Sequence, residues 1–329
     1  MHRTSKQKKD DWDRQKRNIK TNRMDTLKRI MVGLDLTEMD EQLMKYAAFL
    51  CSVSNVEQVD FIHTEKSLDI PQEIIADLPA KSAGKALEQV IAQKVNVYFG
   101  QLPHVQVSVQ VVEGTPVKEM LHHAKVSQVD LILVGRKLRL KGSGVLAQRI
   151  LRSGHVSVLF VPENSEPRLE RIILSLDFSD YSMMALERLL DSTLLKTGVE
   201  LICLHVYEVP SGYITMGESY AAFDERMKGF AKEKFEQVVQ RFPKLAGRTS
   251  LKLVRQENDQ DIGGLIVLEA KRERANMLVI GAKGKSAAAL FVLGSVTEKV
   301  VRHDNDVPLL VFKNKNEGIG FLDALLGNI

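Results

Sequence analysis

Residues 281–303, GAKGKSAAALFVLGSVTEKVVRH, have the types and spacing best suited to chemistry. Gly281 closes an apolar run, Gly284 follows, and Gly294–Ser295 comes after a further interval, giving G-x2-G-x9-G-S. Glycine lets a backbone turn through left-handed conformations and lets N–H groups approach an anion closely. SVTEKVVRH reads as a helix, so Gly294 and Ser295 fall at its start. There, N–H groups without intrahelical partners and the helix dipole favour phosphate. The Ser295 hydroxyl adds a donor. Lys283 and Lys285 add positive charge nearby, or else extend into solvent. The chemistry implied is anion binding. The plainer reading is that Gly281 and Gly284 are ordinary turn residues; their joint occurrence with Gly294–Ser295 weighs against it.

Such a loop needs a scaffold, and the sequence supplies it twice. LKRIMVGLD at 27–35 matches LERIILSLD at 169–177, and VDFIH ending at His63 matches ELICLHV ending at Val206. VDLILVG at 129–135 matches ANMLVIG at 275–281, and VSVLFV at 156–161 matches VPLLVF at 307–312. Each is a continuous apolar run, the pattern of a strand covered on both faces. Between them lie amphipathic stretches such as 82–99 and 220–242. Thr37 and Ser179 are the expected N-caps of the helices that follow Asp35 and Asp177. Strands alternating with helices, without tight hairpin signals, imply parallel pairing through right-handed crossovers. The expected fold class is therefore α/β, two tandem doubly wound open parallel five-stranded sheets with helices on both faces. Ligands of such sheets bind at the carboxyl ends of the strands, near the switch in strand order. That places Asp177 and the loop from Gly281 together. Asp177 as a mere helix cap is the alternative. The divisions expected are a basic tail at 1–26, modules at 27–163 and 168–314 joined by ENSEPR, and an apolar tail at 315–329.

The first module departs from the loop pattern. GRKLRLKGSGVLAQRILRSGH keeps Gly135 and Gly144, but their separation is four residues shorter than that of Gly281 and Gly294. Leu138 stands where Gly284 does, and Val145 replaces Ser295. Asp35 survives, and Gly142–Ser143–Gly144 suits at most a smaller anion nest. This copy reads as a structural or regulatory partner without a competent site.

The G-x2-G-x9-G-S spacing after a buried strand, with the GSV helix and a prolyl strand beyond it, resembles the ATP-binding signature of the universal stress protein family. The resemblance runs from Leu27 to Lys313, twice over. It implies that Asp177 contacts the nucleoside and that Ser175 lies in the same strand-end turn. It further implies that the Val206 backbone reads the adenine edge and that Ile280, Gly281 and Gly284 form the ribose and phosphate turn. Gly294, Ser295 and Val296 would then meet the phosphates. ATP or another adenine nucleotide is the implied ligand, with Mg accompanying the phosphates as an option. The implied function is a regulatory binding module in stress response. Slow ATP hydrolysis and a ligand-free scaffold are the alternatives. In this family the last strand pairs two domains, so the two modules are expected to pack pseudo-symmetrically within one chain, and a homodimer of chains is compatible with that.

Other classes are disfavoured by what the sequence lacks. It has no G-x4-GK[ST] loop, no GxGxxG after a first strand and no nucleophile elbow. Its histidines and cysteines show no zinc-ligand spacing. Net charge is +4 over 329 residues, too small for a nucleic-acid surface across the whole chain. The excess sits in residues 1–23, which read as a solvated tail; Met24 is an alternative start. No apolar run approaches the roughly 20 residues that span a bilayer. Sparse cysteines, Cys51 and Cys203, within apolar runs suit a reducing compartment, and the cytoplasm is the expected location.

Overall fold

The computed structural model describes residues 27–69, 82–138, 145–195, 198–257, 260–284, 293–303 and 306–314. The two tails, Lys285 and the Gly142–Ser143–Gly144 nest lie outside these residues.

The first half runs β1 (Arg29–Leu34), α1 (Met39–Val53), β2 (Gln58–Glu65), α2 (Ala83–Phe99), β3 (Gln106–Glu113), α3 (Pro116–Val126), β4 (Leu131–Arg136), α4 (Val145–Ser153) and β5 (Ser157–Pro162). The second runs β6 (Arg171–Ser175), α5 (Asp180–Asp191), β7 (Glu200–Glu208), α6 (Gly212–Thr215), α7 (Tyr220–Arg241), β8 (Thr249–Gln256), α8 (Ile262–Arg272), β9 (Met277–Gly281), α9 (Ser295–Arg302) and β10 (Leu309–Phe312). All strands lie in one sheet of order β3-β2-β1-β4-β5-β10-β9-β6-β7-β8. Within each half every pairing is parallel. The apolar runs form strands because both faces are covered. Ile30 and Val32 enter one core while Met31 enters the other, and Leu131 and Leu133 are likewise separated from Ile132 and Val134. Alternate side chains of a strand project to opposite faces, so two cores sandwich the sheet. Burying one side chain of this size stabilises the fold by about 1.5–3 kcal/mol.

The last strands meet each other, as their unpaired edges suggest. β5 and β10 pair antiparallel, with Leu309 opposite Phe160 and Leu310 opposite Leu159. The expected five-stranded sheets are thus joined into a continuous ten-stranded one, and both cores run across the seam. Polar contacts reinforce it. Lys313 Nζ donates to the carbonyls of Leu151, at 2.5 Å, and Gly154. Arg152 meets Glu298 at 2.6 Å.

Strand order reverses between β1 and β4, and again between β6 and β9. The crevice such a reversal opens is where ligands of open α/β sheets bind. Ser179 caps α5 as expected, its hydroxyl accepting from Ser182 N at 3.3 Å. Its counterpart is displaced by one residue. Glu38 occupies the cap position of α1 without a side-chain bond, while Thr37 Oγ1 accepts from Met39 N at 3.3 Å and donates to Asp35 at 2.5 Å. The Asp40 carboxylate bonds back to Asp35 N and Leu36 N and takes over the turn.

α8 packs on α9 through a further cap. Asp261 accepts from Gly263 N at 3.2 Å and Gly264 N at 3.1 Å, and meets His303 at 2.6 Å and Lys299 at 3.1 Å. Burial would raise its pKa, but His303, Lys299 and the Gly264 N–H together overcome that and hold it at about 2, against an ordinary 3.8. A folded-state pKa below the unfolded one gives stability that is present above the unfolded value and lost as pH falls through the folded one. Thermal melting across acid pH should therefore show the Tm of the native chain falling more steeply than that of Asp261→Asn between pH 3.8 and about 2. Parallel curves would show that the cap has no such linkage.

Candidate functional site

The crevice of the second half is built from three backbone segments. The first is the end of β6. Leu176 N donates to Leu204 O at 2.8 Å, continuing the sheet, and the chain then turns at Phe178, whose φ of 61° is left-handed. A non-glycine residue in that region is uncommon and strained by about 1–3 kcal/mol. Asp177 supports the turn: its Oδ1 accepts from Ser179 N at 3.0 Å and from Ser179 Oγ at 2.5 Å. His205 supports it from below. Its Nδ1–H donates to Leu176 O at 2.7 Å, and its ring lies 4.7 Å from that of Phe178. His205 is thereby a structural histidine.

The second segment is Gly281–Gly284, and the third is the start of α9. Gly294 N donates to Ala282 O at 2.9 Å, and Thr297 Oγ1 donates to Gly281 O at 2.8 Å. A Cβ on Gly294 would lie 3.2 Å from both Gly284 N and Lys283 Cα, so the two segments pack backbone on backbone. A Cβ on Gly284 would lie 2.9 Å from Asp177 Oδ2. Gly281 meets α5 instead: its missing Cβ would be 3.0 Å from the backbone carbonyl of Tyr181. None of the three glycines adopts a left-handed φ. Close approach, and not turn conformation, is what requires glycine here. The left-handed residue of the site is Phe178, one position after Asp177.

Gly284 thus lies against both Asp177 and Gly294 at the mouth of the crevice, with exposed Ser295 opening α9 beside them. Ser175 ends β6, opposite Leu204. Val206 lies beyond the last β6–β7 pair and is paired on its other side with Val254. Ile280 is buried in the core with its side chain turned from the mouth, leaving its backbone as the part available to a ligand. Val296 is half-buried and packs on the same core. Lys283 is not solvated. It is 7% exposed, and its ammonium lies 5.1 Å from the Tyr181 ring centre, a cation–π contact. Tyr181 had no sequence signal beyond its place in an amphipathic helix.

The first half keeps the frame and fills it. Leu36 is left-handed at φ 59°, Asp35 Oδ1 accepts from Thr37 N at 3.1 Å, and His63 Nδ1–H donates to Leu34 O at 3.1 Å. The difference lies in what occupies the amides. Asp40 stands where the second half has Ser182, and its carboxylate accepts from Asp35 N at 3.0 Å and Leu36 N at 2.9 Å. Burial, then the neighbouring Asp35 charge, push the Asp40 pKa up against the opposing pull of those N–H groups. Leu138, in place of Gly284, donates its N–H to Glu163 Oε1 at 3.1 Å. Arg136, in place of Ala282, is buried and runs toward the seam, its guanidinium 5.2 Å from the Phe160 ring centre. Two carboxylates of the chain thus accept from backbone amides of this region, Asp40 buried and Glu163 exposed.

Fold and crevice define a tandem pair of doubly wound modules joined through their last strands. The universal stress protein family model matches residues 26–162 and again 168–313, and the chain belongs to that family. Two universal stress proteins of Methanocaldococcus jannaschii are similar to it: one is 24% identical over 155 residues, 47% of this chain and 88% of that protein, and the other 26% over 162 residues, 45% and 96%. Nearly the whole of each relative thus aligns with under half of this chain, as a duplicated module requires. A universal stress protein structure from Archaeoglobus fulgidus superposes with a TM-score of 0.60 at 20% identity, covering 88% of this chain and 98% of its own. A structure from Pseudomonas aeruginosa gives 0.61 at 13% identity, covering 92% and 98%. These two show the fold.

The contacts around the glycines set their tolerance. Gly284→Ala places a methyl against Asp177, where something must shift, and should cost about 1–3 kcal/mol of stability. Gly135→Ala places one 2.3 Å from Met39 Cγ, close to the root of that side chain, and should cost more. Denaturant unfolding of the two variants checks the order.

Proposed function

We propose that this chain is a regulatory binding module that holds an adenine nucleotide, ATP in the first instance, in its second half. The observation that carries this is the contact of Gly294 with Gly284 and of Gly284 with Asp177, which gathers an acidic side chain and a helix start at the carboxyl end of β6 and β9. The triphosphate would lie against Gly284, Gly294 and the first turn of α9, where unpaired N–H groups meet negative charge. Asp177 would accept hydrogen bonds from the ribose hydroxyls. The backbones of Val206 and Ile280 would flank the base, with Ser175 in the adjoining turn and Val296 behind the phosphates. Adenine as the base rests on family membership and the signature. A divalent cation such as Mg would accompany the phosphates as it does in solution.

Stress response is the physiological setting we assign, and the cytoplasm the location. Among the described residues no helix is long and apolar enough to cross a membrane. Ligand hydrolysis would need a general base beside the γ-phosphate; Asp177 and Ser179 are already bonded to each other and support the turn. We therefore favour retention of ATP over its cleavage.

Ligand that binds the folded state alone raises apparent stability by mass action. ATP should raise the Tm of the native chain and give a single site per chain by titration calorimetry, with no phosphate release above background. Gly294→Val should lose the ATP-induced shift. Gly135→Ala should retain it even though it perturbs the first half. ATP affinity undiminished in the Gly294 variant would remove the site. Steady phosphate release would favour a hydrolase, and no response to any adenine nucleotide a scaffold.

A further inference from the structure

α9 carries the proposed phosphate contacts at its first turn, and the first half of the chain holds its other end. Arg136, from the end of β4, donates through Nη2 to the carbonyl of Val301 in the last turn of α9. Arg152, from α4, meets Glu298 one turn earlier at 2.6 Å. Glu298 N in turn donates to Gly294 O at 2.8 Å. Two cations of the first half are thus fixed to a helix of eight residues, about 12 Å long, whose opposite end forms the crevice.

Both features are specific. The last carbonyls of a helix have no intrahelical partner, so a guanidinium there satisfies an acceptor and complements the negative end of the helix dipole. Arg136 is 5% exposed and stacked on Phe160, so the contact is made away from water and is little screened. The second half has buried Ala282 at the corresponding place, so the arrangement is not a repeated element of the fold. The reverse contact comes from a different residue: Lys313 holds the last carbonyls of α4.

We infer that Arg136, assisted by Arg152, is a positioning residue for the phosphate site of the second half, so that the degenerate first half sets the nucleotide affinity of its partner. This rests on the nucleotide reading above. A helix so short moves as one body, and tilting its last turn reorients the N–H groups of its first. Contacts to the nucleoside, made by β6, β7 and β9, lie outside its reach.

The test uses the full chain and four proteins: native, Arg136→Met, Arg136→Lys and Lys313→Met. ATP affinity is measured by titration calorimetry and adenosine affinity by displacement of ATP. Hydrogen exchange of the segment spanning α9 is followed without nucleotide. Arg136→Met should weaken ATP about five- to tenfold, the scale of one buried dipole and hydrogen-bond contact. It should leave adenosine unchanged and speed exchange in α9. Arg136→Lys should restore much of the ATP affinity. Lys313→Met loosens the same seam on the α4 side and should alter neither ligand. Should Arg136→Met not fold, Arg152→Gln is read by the same criteria, with a smaller loss.

Equal loss of ATP and adenosine, equal effects of the Arg136 and Lys313 variants, or unchanged ATP affinity in Arg136→Met would each overturn the inference while leaving the nucleotide reading intact. Failure of the native chain to bind ATP would overturn both.

Discussion

The proposed site depends on one backbone contact, the Gly294 N–H on the Ala282 carbonyl. It joins the end of β9 to the start of α9 with no side chain between them. Everything at the crevice mouth is placed relative to that contact. Thr297 fixes the helix to Gly281, Gly284 is brought under Asp177, and Lys283 is turned back over Tyr181. A methyl group on either Gly284 or Gly294 would separate surfaces that touch at about 3 Å. The glycine signature is therefore a statement about distance between chains more than about conformational freedom.

The two halves share one frame and differ in what bonds to the backbone amides at its turns. Both keep the left-handed residue after the aspartate, the histidine beneath it and the same order of strands. In the first half Asp40 and Glu163 accept from the backbone amides of that region. A carboxylate already bonded there meets the hydrogen-bonding demand of the backbone and repels a second anion. The structural role that remains is visible at the seam, where β5 and β10 merge the sheets and cations of each half reach helix ends of the other.

Much of this was legible in the sequence, because strands buried on both faces announce themselves as unbroken apolar runs. β1, β4, β6 and β9 fall within two residues of LKRIMVGLD, VDLILVG, LERIILSLD and ANMLVIG, and α2 and α7 match the amphipathic stretches at 82–99 and 220–242. β3 is harder to read. In QVSVQVVE only Val111 is buried, as suits the outer edge of a sheet, so no continuous run marks it. The pairing of β5 with β10 followed from the edge argument together with family resemblance. The polar details did not. That Asp40 would bond back to Leu36 N, that Glu163 would reach Leu138 N, and that Arg136 would cross to Val301 all depend on which elements become neighbours. Local pattern carries no such information. The glycine spacing revealed where close approach is needed, yet the strained residue turned out to be Phe178, which no composition rule singles out.

The bonding at the turns of the first half makes its sequence hard to change piecemeal. Giving it the arrangement of the second half would take separate changes at Leu138, Glu163 and Asp40, and removing the buried Asp40 carboxylate alone would leave Asp35 N–H and Leu36 N–H without the acceptor they now share. The two halves, alike in strand order, are thus not interchangeable in sequence at their turns.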